Sequence, residues 1–275
     1  MSGGIRFFLG IFRVITIMIK IDERIDEVDK HYRPVQKLDL FSGVLFYVGA
    51  LLSISIPFLS GDGSIFGSIV PILFFLTVFL RAIIVGANSY YFIPFAERQR
   101  RRQFLSNSLA IPLTAEETNK YYNNDLGPNV IRLGANLMEN SFFGKHICER
   151  MLVIERLKVI TYGVVWLLVT IYRGSDLGLV LAISHLVFAS EIVFKWVRLE
   201  ILRARNERVF DSLYSLYLGR PEIDMQLSEA AILDAFAEYE SSKASASIKL
   251  STKVFLRINE DVTGKWERVK TKIKI

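Results

Sequence analysis

Charge is segregated along this chain. Between Leu40 and Phe95 only Asp62 and Arg81 are charged, while the flanks carry most of the 34 Lys+Arg and 28 Asp+Glu. Neither the hydrophobic fraction of 51% nor the charged fraction of 23% is unusual. It is their separation that excludes a disordered chain or a fibre and disfavours an ordinary soluble domain. One cysteine, Cys148, leaves no internal disulfide, and His31, His146 and His185 are too widely spaced for a metal-ligand pattern. No cofactor or metal is expected.

An α-helix needs about 20 mostly apolar residues to cross a bilayer. The sequence predicts four such spans: residues 41–59, residues 64–87, a stretch over 159–172 that starts near Leu152, and residues 177–197. Gly61-Asp62-Gly63 and Arg173-Gly174-Ser175-Asp176 read as tight turns, which pairs the spans into two hairpins. Basic residues set the orientation. Seven lie in residues 1–39, ten in 97–158 and fifteen in 195–275, so 32 of 34 fall on one side. The expected class is therefore an all-α membrane protein of the bacterial inner membrane, multi-pass, with both termini cytoplasmic. Its parts are an N-terminal region (1–39), hairpin 1 (40–96), a cytoplasmic helical region (97–158), hairpin 2 (159–197) and C-terminal cytoplasmic helices (198–275).

Arg6, Arg13 and Lys20 are seven apart and stack on one helical face opposite Phe7, Phe8, Phe12, Ile15 and Ile19. A basic stripe against an aromatic-rich apolar face suits a helix lying in the membrane interface. A fifth span and a helix packed on a partner are the competing readings. A cleaved signal is not expected, because Arg13 interrupts the apolar core and no small-residue cleavage site follows. Residues 21–32 read as a solvated continuation of the helix.

Arg98, Arg100, Arg101 and Arg102 follow the second span directly. They read as anchors for anionic lipid headgroups, or as forks for a phosphate-bearing ligand. No aromatic platform or nucleic-acid module accompanies them, so nucleic acid is not an expected partner. Thr114-Ala-Glu-Glu117 fits a capping box and predicts a short helix. From Asn129 an apolar pattern predicts a helix running into the third span. The fourth is expected to continue to Leu218, before Gly219-Arg220-Pro221 breaks it. Residues 226–243 and 249–272 predict two further amphipathic helices. No nucleotide-binding loop, metalloprotease motif or nucleophile elbow is present, and the expectation is that the chain is not an enzyme.

Ionisable groups at membrane depth face a neighbour or an aqueous path. His185 aligns with Gly178, Ala182 and Ala189, and Glu191 lies six residues beyond it, about 120° around the helix. With Arg81 in the second span, these are the candidate pore or subunit-interface residues. Pro71 is expected to kink its helix.

The layout, with the segments Tyr121-Tyr-Asn-Asn-Asp125, Glu139-Asn-Ser-Phe-Phe143 and Asp234-Ala-Phe-Ala-Glu-Tyr-Glu240, resembles the bacterial four-transmembrane and two-transmembrane effectors associated with cyclic-oligonucleotide synthases in antiphage defence. The resemblance implies a homo-oligomeric effector that opens or assembles to form a pore and permeabilises the membrane. The implied trigger is a cytoplasmic cue, a cyclic nucleotide or a sensor protein. The alternatives are a structural or regulatory subunit of a membrane complex and a small channel or transporter.

Overall fold

The computed structural model describes residues 26–59, 65–118, 122, 124–172, 179–219 and 225–275; within its helices the side chains at 54, 57–59, 66, 165, 166, 169–172 and 179–191 are outside the description. The described residues are helical, with a single isolated bridge and no strands. Seven α-helices follow one another: α1 (Arg33–Leu59), α2 (Ile65–Ala87), α3 (Ile93–Leu109), α4 (Val130–Tyr172), α5 (Leu179–Gly219), α6 (Met225–Ala246) and α7 (Thr252–Ile273). A 3-10 turn, Glu27–Tyr32, precedes α1, and a π-helical segment, Asn88–Phe92, joins α2 to α3.

Helices α1 and α2 form a hairpin that is apolar on nearly every face. Leu40, Leu51 and Phe75 are exposed by 73%, 67% and 66%. Among the described residues, two stretches, Glu27–Ser53 and Gly67–Leu109, are long and apolar enough to cross a membrane. Only 17% and 11% of their most apolar windows are buried, unlike the core helix of a soluble domain. Two hydroxyls of the hairpin bond back to their own helices, as a water-poor surrounding favours. Ser55 and Thr77 donate to the carbonyls of Leu51 and Leu73 at 2.7 and 2.8 Å. Helix α2 is continuous through Pro71. Ile56 and Phe74 close the hairpin interior, and Tyr162 of α4 packs against that cluster. The third and fourth predicted spans lie in α4 and α5, and many of their side chains fall outside the described residues.

The remaining helices build a body around α4 and α5, which run antiparallel. Tyr217 meets Gly134 and Asn206 meets Gly144, where an added Cβ would lie 2.7 Å from Tyr217 Oη and 3.1 Å from Asn206 Nδ2. Glycine at these two positions lets the helices approach closely. The buried residues of α5, Leu199, Leu202, Asn206, Val209 and Leu213, repeat at alternating threes and fours, which is the seam of a coiled-coil contact. Leu133, Leu137 and Met138 of α4 share a core with Phe104 of α3, Ile232 of α6, and Val262 and Trp266 of α7. Helix α7 buries Ile258, Val262, Trp266 and Ile273 along one stripe, and Ser251 caps its first turn by accepting from the Val254 amide at 3.3 Å.

Two sequence expectations fail, for one reason. Residues 27–32 form a 3-10 turn with Val28 and Tyr32 buried, not a solvated continuation of helix. Residues 114–118 form no helix. Thr114 Oγ1 bonds the Glu116 carboxylate and accepts from the Glu116 amide at 3.3 Å, closing a local turn. The Glu117 amide, which a capping box needs, donates to Glu27 Oε2 at 2.9 Å. The Glu27 amide in turn donates to the Glu117 carbonyl at 3.2 Å, and Asp26 bridges Thr118. The two segments satisfy each other's backbone, which local periodicity does not reveal. His31 reinforces the strap with a 2.9 Å contact to Glu116.

The Thr114 and His31 hydrogen bonds hold the Glu116 carboxyl at about 2, well below its ordinary 4.5. A carboxylate depressed in the folded state stabilises it above the unfolded pKa and loses that contribution as pH falls toward the folded one. The strap is therefore expected to loosen between pH 4.5 and about 2. Hydrogen exchange at the Glu27 amide checks this: its protection falls through that window in the native chain, and is already reduced at neutral pH in Glu116→Gln.

Candidate functional site

A cavity of about 610 Å³ opens where the body meets the exit of the α1–α2 hairpin. The strap and α3 supply one wall, α4 and α5 a second, and the corner between α6 and α7 a third. Tyr122, the pair Asn140 and Phe143, and the pair Tyr239 and Glu240 all line it. The three segments singled out in the sequence, far apart along the chain, thus converge on one space. Asn140 Nδ2 donates to Tyr122 Oη at 2.8 Å, which joins two of them directly.

Ion pairs hold the walls together. Arg100 grips both carboxylate oxygens of Asp26 at 2.9 and 3.0 Å and lies 5.7 Å from the Tyr32 ring centroid. Lys243 of α6 lies 2.5 Å from Glu97 of α3, and Arg101 lies 3.7 Å from Glu240. Burial works against the Lys243 charge, but Glu97, Tyr239, Tyr32 and Glu240 together outweigh it and hold the ammonium well above its ordinary range. Burial, helped by the nearby Glu97, raises the Glu240 carboxyl further than Lys243 and Arg101 lower it. The site is thus a tight ionic joint between α3 and α6, close beneath the hairpin. A second joint lies beside it. Ser247, at the α6–α7 corner with φ of 46°, donates from Oγ to the Ser89 carbonyl of the π-helical segment at 2.8 Å.

The four clustered arginines divide by helical direction. Arg100 and Arg101 turn to the cavity, whereas Arg98 and Arg102 are exposed away from it, Arg98 stacking 5.7 Å over Phe95. Arg81 is enclosed within the hairpin, donating from Nε to the Ser42 carbonyl at 3.1 Å and lying 5.0 Å over the Phe46 ring. There it pins α2 to α1. The side chains of His185 and Glu191 lie outside the described residues, as do Arg6, Arg13 and Lys20. Sequence reasoning missed Tyr32, Glu97, Lys243, Lys249 and Trp266. Each is a single residue within its helix or loop, with no spacing to mark it.

Among the described residues no group of three His, Cys, Asp or Glu side chains is placed to hold a metal ion. Cys148 is buried, and burial pushes its thiol up to about 12, so it is not poised as a nucleophile.

Lys243→Met would leave Glu97 facing Tyr32 and Glu240 without its cation. Removing one partner of a buried pair is expected to destabilise the fold by about 3 kcal/mol. Denaturant unfolding of the detergent-solubilised chain measures it, and the double variant Glu97→Gln/Lys243→Met should recover part of the loss.

The chain matches no protein-family model, no curated protein and no solved structure in comparisons with all three.

Proposed function

We propose that this chain is a non-enzymatic, multi-pass membrane effector that assembles with copies of itself and permeabilises the bacterial inner membrane in response to a cytoplasmic cue. One observation carries this reading. Helices α4 and α5, of 43 and 41 residues, run without a break from the core around the cavity into the apolar segments predicted as the third and fourth spans. At 1.5 Å per residue each is about 60 Å long, so a shift at the cavity is transmitted to the far end as a lever. The ties from α6 to α3 and from Ser247 to Ser89 give the same body a hold on the first hairpin.

In this reading four spans form two hairpins, and the 32 basic residues mark the cytoplasmic side, with both termini there. The apolar surface supports it: Val153, Leu157, Ile160, Leu167 and Phe194 are each more than half exposed, in line with the exposed apolar faces of the hairpin. Tyr90 and Tyr91, 88% and 67% exposed at the hairpin exit, sit where an aromatic belt meets headgroups. The outward pair Arg98 and Arg102 then faces anionic lipid. Four spans are too few to enclose a wide pore, so several copies surround it, with α5 on the pore side or at the subunit interface because of His185 and Glu191.

The first test is topology. Cysteines placed at Asn124 and Ser251 should be shielded from an impermeant reagent in intact cells; external labelling of either would sink the four-span arrangement. The second is dye leakage from liposomes carrying the purified chain, together with growth on induced expression. Leakage that His185→Leu suppresses, in a protein that still inserts, supports the effector. A tight membrane and harmless expression under every cytoplasmic ligand tried would move the assignment to a regulatory subunit.

A further inference from the structure

The ion pairs do not account for every polar group of the cavity. Trp266 lines it from α7, is 2% exposed, and its indole Nε1–H meets no acceptor among the described residues. Lys249, from the connection between α6 and α7, also lines it; its buried Nζ makes no hydrogen bond, the Tyr32 ring lies 5.0 Å away, and Asp29, Asp39 and Glu97 act on its charge only from beyond contact distance. Buried polar groups in folded proteins are almost always paired. Both orphans are donors, so the missing group is an acceptor.

The charges around these donors limit what can enter. Three of the four lining cations are already held, Arg100 by Asp26, Lys243 by Glu97 and Arg101 by Glu240. Lys249 forms no salt bridge among the described residues. Carboxylates outnumber cations along the lining, six to four. A ligand with one negative charge finds one cation that has no hydrogen bond or salt bridge of its own, whereas a polyanion would press its further charges against Glu139, Glu240 and Asp29. The wall is also aromatic: Phe143 and Phe255, both on the lining, have ring centroids 6.1 Å apart and planes tilted by 53°. A flat ligand ring can stack on one of them and meet the other at an angle. A volume of about 610 Å³ suits a ligand of nucleoside size.

The geometry points to a binding site for a planar aromatic monoanion, its charge at Lys249, an acceptor atom at Trp266 Nε1 and its ring against Phe143 and Phe255. The site draws on the effector reading only for the consequence of occupancy. Closing the cavity over a ligand would pull the α6–α7 corner against α4, and with it the Ser247 tie to the hairpin exit.

Two sources share this chemistry, a cyclic mononucleotide and an aromatic carboxylate. The test uses the full chain in detergent and measures binding by calorimetry and tryptophan fluorescence. The probes are 3′,5′-cyclic AMP and indole-3-acetate as monoanions, adenosine as the uncharged control and ATP as the polyanion. At least one monoanion is expected to bind, and to bind more tightly than adenosine or ATP. Trp266→Phe and Lys249→Met are each expected to weaken that monoanion about tenfold or more, the loss of one hydrogen bond to a charged or buried partner. Lys249 is only half-buried, so its substitution keeps the fold even if Trp266→Phe does not. Arg102→Met, on the outward face, should bind as the native chain does. Failure of both monoanions, binding by ATP or adenosine as tight as theirs, or unchanged affinity in Lys249→Met would each overturn the site. A chain that binds the monoanion but leaves liposomes tight in its presence keeps the site and loses the effector reading.

Discussion

The antiparallel contact of α4 with α5 is the constraint on which the rest of the molecule depends. Its register is readable from pairs along its length: Gly134 against Tyr217, Gly144 against Asn206, and Glu155 within 3.2 Å of Lys195. Small residues on α4 set the separation. The Tyr217 hydroxyl donates to the Ile131 carbonyl, and Ile232 of α6 crowds Gly134 from a second direction. A Cβ at Gly134 would force the ends of the Tyr217 and Ile232 side chains to shift. Once this spine is in place, α3, α6 and α7 each have one apolar stripe to bury, and the core that receives them is a single cluster. Burial of that cluster, not helix propensity, stabilises helices of this kind.

The surface of the spine changes character along its length. Near Leu133, Leu137 and Met138 the side chains of α4 are almost wholly buried; near Leu157, Ile160 and Leu167 they are exposed and apolar. The transition is marked by charge. Glu155 lies with Lys158 and Lys195 at 3.0 and 3.2 Å, and Arg156 meets Glu200 at 2.8 Å. This ring of paired charges separates the buried part of the spine from the part whose apolar side chains are exposed. Asn88, buried at the hairpin exit, donates to Asp39 at 2.7 Å.

Much of the architecture was legible in the sequence because it follows from periodicity and polarity, which are local. The apolar runs yielded α1 and α2, the pattern from Asn129 yielded the long α4, and Gly219 ended α5 where expected. The two amphipathic helices at the C-terminus lie within a few residues of their predicted bounds. The strap and the 114–118 segment were misread. Their amides are satisfied by each other across 90 residues of chain, and a capping-box spacing cannot compete with a partner that local pattern does not show. The arginine run reads in sequence as one patch, whereas the 100° step of a helix sends Arg100 inward, leaves Arg101 exposed at the cavity lining and turns Arg98 and Arg102 out.

By itself the sequence determined which segments are apolar and which are charged. The stretch from Leu40 to Phe95, charged only at Asp62 and Arg81, and the placement of 32 of 34 basic residues in 1–39, 97–158 and 195–275 are properties of composition along the chain and survive any packing. Only the tertiary structure decided which polar groups meet. Tyr122, Asn140 and Tyr239 come from three separate segments, and Lys249 and Trp266 belong to no motif, yet all line one cavity. The physical reason is that a site of this kind is a coincidence of helix rotations. Each rotation is set by side-chain packing against α4 and α5, and that packing exists only once the helices have met.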